Sequence, residues 1–207
     1  MYVPAQFKPA SDNATQEFIR NHSFAILVKS HDSIPKACHI PVEVENDENE
    51  NLILYGHIAA SNPIGTYLEH EESLVIFHGP HAYVSSSWYS HINVPTWNYI
   101  AVHAYGKAKI MNQDESAHFM QRQLNRYEQH SDQPVTFSSM PKDFLETHLK
   151  GIICFRMPVN RLESAFKLSQ NRNDADYAEI IRRLKNSGNP DSTAVAEHMK
   201  RLRPHLE

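Results

Sequence analysis

The sequence predicts an α+β, mainly β fold, most simply a small barrel of about six strands with helices at its rim. Three observations lead there. Apolar runs of strand length recur along the chain, mostly joined by connections too short for a parallel crossover. Helical patterns gather toward the ends, and a βαβ alternation is absent. Turn chemistry separates the runs, as in His31-Asp32-Ser33 and the acidic, amide-rich stretch 46–51.

Residues 11–22 read as a helix, with caps offered by Ser11, Asp12 and Asn13 and an apolar face beginning at Phe18 and Ile19. Residues 23–29 form an apolar run of strand length. Residues 36–45 are extended, with Val42-Glu43-Val44-Glu45 alternating at period two, and 52–58 is the partner strand of a hairpin. Asn62-Pro63 starts a short helix through Leu68, because Asn caps well and Pro suits the first helical position. Residues 74–77 are a strand, 78–96 a long loop, and 97–111 the longest strand-like run. Asp114 caps a helix to about His130, with Phe119, Met120, Leu124 and Tyr127 on one side. A short helix over 141–150 and a last strand over 151–158 follow. Asp174 opens a helix to about Asn186, Ser187-Gly188-Asn189-Pro190 breaks it, and a final helix covers 191–203.

A chain of 207 residues suits one domain with terminal extras, or a compact domain working as a dimer. No apolar run approaches the roughly 20 residues of a membrane span. The start, Met1 to Phe7, lacks the basic opening and apolar core of a signal peptide. Two distant cysteines, Cys38 and Cys154, read as reduced thiols of a cytoplasmic protein. A net charge of -4 argues against a broad surface for duplex DNA.

The most informative stretch is Phe166-Lys167-Leu168-Ser169-Gln170-Asn171-Arg172, placed after a short Arg161-Leu162-Glu163 turn. Two cations, two amides and a hydroxyl in seven residues suit an anionic, planar ligand, Arg adding a forked and stackable plane. The plainer alternative is a solvated loop before a helix. In Gly56-His57-Ile58-Ala59-Ala60-Ser61-Asn62-Pro63 a strand ends in small residues and a helix starts at once, presenting free N–H groups to a phosphate. An ordinary capped helix would give the same pattern.

The aromatic, Ser-rich run from Phe77 to Tyr89 suits a flat ligand held at an edge, or a hydrophobic cluster under a long loop. In Val94 to Tyr99, Trp97 and Tyr99 alternate with Asn98, presenting an aromatic and a polar face, or a strand start with buried aromatics. Fourteen histidines, with His78 and His81 spaced by three, include no HExxH motif, and neither cysteine lies in a CxxC, so no metal site is predicted. A Gly-x-Ser-x-Gly elbow is absent, which leaves a nucleophilic hydrolase without support.

Together these segments resemble one family. They are Met1-Tyr2-Val3-Pro4, Cys38-His39-Ile40-Pro41, Gly56-His57-Ile58-Ala59, Gly79-Pro80-His81-Ala82-Tyr83-Val84-Ser85, Ser87-Trp88-Tyr89, Val94-Pro95-Thr96-Trp97-Asn98-Tyr99 and Lys167-Leu168-Ser169-Gln170-Asn171. The chain is similar over residues 1–185 to the PaiB family of FMN-binding negative transcriptional regulators. The resemblance implies an FMN-binding split β-barrel with flanking helices over 1–185, a C-terminal helical extension over 186–207, and a homodimer with FMN at the subunit interface. It implies cofactor contacts from His39, His57, Ala59, Ser61, Asn62, Trp88, Trp97, Lys167, Gln170 and Arg172. The flavin phosphate would lie near 57–62, and the segment after Glu163 would reach flavin across the dimer.

One departure matters. The related oxidases carry Arg and Lys on these strands for phosphate, where this chain has His39, Ser61 and Asn62. Two functions stay open: a flavin-binding regulator that acts indirectly, with direct DNA binding doubtful and a small-molecule ligand possible, or a flavin-dependent oxidoreductase. For the second, His81 and Tyr83 are the acid–base candidates. Haem handling would rest on histidine abundance alone.

Overall fold

The computed structural model describes residues 1–206. Seven strands are formed: β1 (Phe24–His31), β2 (Ile34–Asn46), β3 (Leu52–Ala59), β4 (Ser73–Val84), β5 (Thr96–Gly106), β6 (Lys109–Ile110) and β7 (Ile152–Lys167). The helices are α1 (Asp12–Asn21), α2 (Gln113–Glu128), α3 (Lys142–Leu149), α4 (Asp174–Lys185) and α5 (Pro190–Leu202). Strand order is β3-β2-β1-β4-β5-β7-β6, and β3 also pairs with β7, which closes the sheet into a barrel. No described helix is long and apolar enough to cross a membrane. Contacts divide the chain into two compact units, one of Met1–His22, Phe77–His103 and the residues from Glu163 onward, the other of Ser23–Ile76 and Ala104–Leu162.

In the unit built from 23–76 and 104–162, a two-residue turn sets the first hairpin. Asp32 and Ser33 both hold positive φ, 49° and 62°, and His31 pairs with Ile34. That backbone twist matches the right-handed twist of paired strands. Register follows: Leu27 faces Cys38, Val42 faces Gly56, and His57 faces Cys154. Period-two alternation buries Ala25, Leu27, Ile40, Val42, Leu54 and Ile58 and leaves Phe24 outward. Helix α2 is held by a capping box in which Asn112 and Glu115 exchange hydrogen bonds of 2.9 and 2.8 Å. Its Phe119 packs on Tyr55. The buried Lys29 donates from Nζ to the Glu71 carbonyl, while burial pulls its ammonium below the usual lysine value.

In the unit containing α1, α4 and α5, Phe77, Ile100, Val102, Tyr177, Ile180 and Val195 form a dry core. A buried polar chain runs through it. Just past β7, Ser169 takes a φ of 61° and donates from Oγ to Asn98 Oδ1 at 3.0 Å. Asn98, fully buried on β5, donates in turn to Met199 Sδ at 3.6 Å. Tyr177 of α4 donates its hydroxyl to the Met199 carbonyl at 3.0 Å. Arg203 donates to the Gln170 carbonyl at 2.8 Å and pairs with Asp174. At the start of α4 the buried Asp176 accepts from the Ser90 N–H and hydroxyl at 3.1 and 3.2 Å.

Several elements differ from the sequence-based expectation. Strand β4 runs on to Val84, well into the expected loop, because Ala82 and Val84 alternate inward while His81 and Tyr83 face out. The run over 97–111 breaks after Gly106, where a Cβ would lie 2.2 Å from the Pro158 carbonyl oxygen. Strand β7 continues to Lys167, so Arg161-Leu162-Glu163 is extended, not a turn. Arg161 there lays its guanidinium on Tyr105 and pairs with Glu72, tertiary partners no local pattern announces. The expected short helix after Asn62 is present over Pro63–Tyr67 as a five-residue 3-10 helix. Helix α2 is capped by Asn112 in place of Asp114, and α5 begins at Pro190, one residue before the expected start, whereas α4 opens at Asp174 as expected.

Two predictions follow from the polar chain. Ser169→Ala removes the donor to a buried carbonyl oxygen and should destabilise the protein by about 1–3 kcal/mol in urea denaturation. Ser169→Gly loses the same bond but relaxes the left-handed backbone, so its loss should be smaller. The second concerns Asp176. The Ser90 N–H holds its carboxyl below the ordinary carboxylate value against the opposing effect of burial, with help from the Ser90 hydroxyl and His91. A depressed folded value means the stabilisation is complete above the unfolded value of about 3.9 and is lost as pH falls through the folded one. Asp176→Asn should therefore flatten the acid limb of a stability–pH curve below about pH 4.

Candidate functional site

The end of β7 brings Lys167, Ser169, Asn171 and Arg172 to a pocket of about 170 Å³, lined also by Phe7 and by Thr96 and Asn98 of β5. Lys167 donates from Nζ to Thr96 Oγ1 at 2.6 Å. The Arg172 guanidinium lies 4.9 Å over the Tyr89 ring. Burial first, and the Arg172 charge second, pull the Lys167 ammonium below its usual value. Neither cation has a salt bridge among the described residues. Two half-buried cations that repel each other without a carboxylate have the charge to receive an anion. The buried Tyr89 hydroxyl, whose ring carries Arg172, also has no hydrogen-bond partner. Tyr89 does not line the pocket; Lys167 and Arg172, which do, fit an electron-rich edge of FMN. A volume of 170 Å³ admits one end of a flavin, not the whole.

Gln170 serves the turn itself: its Oε1 accepts from the Leu168 N–H at 2.8 Å and its Nε2 donates to the Phe166 carbonyl. Thr96 and Asn98 belong to this site and were not singled out as ligands. Asn98 sits between Trp97 and Tyr99 in a period-two strand and reads as the polar face of that strand. It is instead on the core face, which only its unusual place among buried apolar positions could have signalled.

The second group lies in the other unit. Ala59 ends β3, and the Asn62 N–H donates to its carbonyl at 2.9 Å, leaving Ser61 exposed at the turn. Asn62 Oδ1 accepts from the Ile64 N–H at 3.0 Å, and the Gly65 N–H bonds to the Asn62 carbonyl. Those N–H groups are therefore taken, and a five-residue 3-10 turn offers little dipole. What remains for a phosphate is the Ser61 hydroxyl and the Asn62 amide. The Asn62 side chain also hydrogen-bonds Cys38, whose thiol burial pushes up. His39 is exposed and stacks 6.0 Å from Phe24. His57 is turned to the α2 side, 6.4 Å from Phe119, with a buried Nδ1 that lacks a partner. Burial alone holds its imidazole below the usual value, hence neutral near pH 7.

On β4 and β5, His81 and Tyr83 flank Trp97, with ring centroids 6.0 and 5.7 Å away, and Trp97 is half exposed. His81 Nδ1 lies 3.6 Å from an Asp191 carboxylate oxygen at the start of α5. Trp88 ends a 3-10 turn over Ser86–Trp88 and is half-buried. Among the described residues no group of three or more His, Cys, Asp or Glu is placed to hold a metal. On α4, Arg182 and Arg183 pair with Glu179 and Lys185 with Glu197 of α5, and just past α5 Arg203 pairs with Asp174, while Lys200 and Arg201 of α5 have no salt bridge among the described residues. The two arginines hold the Glu179 carboxyl down to about 2.

Residues 1–161 match the sequence profile of an FMN-binding domain family. The chain is 42% identical, over 97% of both sequences, to the protease synthase and sporulation protein PAI 2 of Bacillus subtilis (strain 168). It is 29% identical, over 95% of both, to the uncharacterized protein AN0679 of Emericella nidulans. Its fold is similar to the FAD and heme binding protein from Mycobacterium smegmatis, with a TM-score of 0.58, 13% identity, and 82% of this chain and 78% of that one covered. A flavocytochrome, Anf3 from Azotobacter vinelandii, gives a TM-score of 0.58 at 12% identity, covering 82% and 74%. The profile takes in most of the chain and the PAI 2 likeness nearly all of it, on a barrel of the split type, so this protein belongs to the FMN-binding domain family alongside the PaiB proteins.

Proposed function

We propose that this protein is a PaiB-type flavoprotein that works as a cytoplasmic homodimer and acts as an indirect negative transcriptional regulator. The observation that carries the reading is the Lys167–Arg172 pair, two adjacent cations left without a carboxylate. In the dimer they meet the electron-rich edge of the isoalloxazine, and Ser61 with the Asn62 amide holds the phosphate. Bound FMN would supply hydride or single-electron transfer. Cations beside the ring favour the negative charge it gains on reduction.

A homodimer is supported by the large apolar side chains left outward, Phe24 and Ile34 in one unit and Tyr83 and Trp97 in the other. Two free thiols support a reducing compartment. Indirect regulation is supported by the internal pairing of basic residues on α4 and by the net charge of -4. A second reading, a flavin-dependent oxidoreductase, is favoured by one arrangement: His81, its imidazole beside Asp191 and next to Trp97, is placed as a general acid or base.

Titrating FMN while following flavin fluorescence tests the cofactor assignment. Asp caps a turn as well as Asn, so Asn62→Asp keeps the 63–67 turn and sets a carboxylate against the phosphate. Its affinity should fall by about tenfold or more, since two like charges about 4 Å apart repel by several kcal/mol even at an effective dielectric of about 20. Lys167→Gln should weaken FMN as well; affinities equal to the parent protein in both variants would refute these placements. Regulation is tested by anisotropy titrations at near-physiological salt with genomic fragments from around the gene and scrambled controls. Only weak, salt-sensitive, sequence-independent binding is expected. A preference of about a thousandfold for one fragment would make the chain a direct repressor.

A further inference from the structure

The end of β7 presents alternate residues to opposite sides. Lys167 and Ser169 line the flavin-edge pocket, whereas Phe166, Leu168 and Gln170 wall a second cavity of about 270 Å³, closed by residues 8–10, α1 and α5. Its charged groups are Lys8, Glu17, His22, His198 and Arg201: four that can be cationic against one carboxylate. Among the described residues, no carboxylate lies within salt-bridge distance of Lys8 or Arg201. Burial, then the Arg201 and His22 charges, hold the His198 imidazole below its usual value, with Glu17 opposing. The cations around this cavity crowd one another, and an anion between them would relieve the repulsion.

The other wall is aromatic. Phe18 stacks on His22 at 4.1 Å and meets Phe166 edge-on at 5.7 Å. His22 Nδ1 lies 2.9 Å from the Phe18 carbonyl; as the N–H donor it leaves Nε2 open. Pockets for drug-sized ligands run from about 300 to 1,000 Å³, so this cavity takes one ring with an acid group and excludes a flavin.

We propose that this cavity is a binding site for a small aromatic carboxylate, its ring against Phe18 and Phe166 and its acid group toward Arg201 and Lys8. The proposal is independent of where FMN sits. The test uses benzoate, titrated into the FMN-loaded protein while the ring protons of His22 and His198 are followed by NMR, a readout that carries no flavin signal. Saturable shifts at both histidines are expected. Benzamide, of the same shape without the charge, should bind at least about tenfold more weakly, as should benzoate to Arg201→Gln or Lys8→Gln, each the loss of a charge-assisted hydrogen bond. Both side chains are exposed at their outer ends, so neither change opens the core. Absence of saturable shifts would overturn the proposal. So would equal affinity for benzamide or inorganic phosphate, or unchanged benzoate affinity in both variants.

Discussion

One buried hydrogen bond, from the Ser169 hydroxyl to the Asn98 side-chain carbonyl, decides how the C-terminal part of the chain is arranged. A primary amide in a dry core is costly unless its groups are matched. Asn98 is matched by Ser169 on one side and by the Met199 sulfur on the other, so β5, the end of β7 and α5 are fixed to one another. The partner on the β7 side must come from a backbone bent to reach it, and Ser169 does so at a φ of 61°. A left-handed serine is unfavourable by itself. The bond it makes, together with the Gln170 amide folded back on Phe166 and Leu168, offsets that cost and holds the turn.

The geometry of two pockets descends from that turn. Because the chain is still extended at Lys167, odd residues face one side and even residues the other. Lys167 goes to Thr96 and the polar pocket, while Phe166 and Leu168 go to the aromatic cavity beside Phe18. Arg172, one turn later, stops over Tyr89, near enough to Lys167 to pull its ammonium down. Neither cation was brought there by a carboxylate. Packing and hydrogen bonding placed them, and the charge repulsion between them is left uncompensated.

Local chemistry made part of this legible in the sequence. Asp32-Ser33 between two apolar runs announces a tight turn, and the structure has the two-residue hairpin with both residues at positive φ. Asn62 as cap and Pro63 at the first helical position mark the 63–67 turn, whereas Asn189-Pro190 reads as a break and in fact caps and opens α5. The seven-residue polar cluster stands out in the sequence because core packing seldom uses such residues, yet Leu168 and Ser169 are buried and Ser169 bonds Asn98. Other features depend on partners distant in sequence. Arg161 looks like a turn residue until Tyr105 and Glu72 are seen to receive it. His81 and Tyr83 read as loop aromatics because the inward partners, Ala82 and Val84, are small and few. Gln170 looks like a ligand residue, and its amide belongs to its own turn.

Charge shows the same limit from another direction. Composition gives a net of -4 and says nothing about which cations are already matched. Along α4 and α5 the arginines and lysines look like a basic face; Glu179, Glu197 and Asp174 take up four of them. At an exposed surface such pairs contribute little to stability. Lys167 with Arg172 on one side of the β7 end, and Lys8 with Arg201 on the other, are among the cations that have no salt bridge among the described residues. Each of these two pairs stands beside a small cavity, where an anion would meet two cations at once.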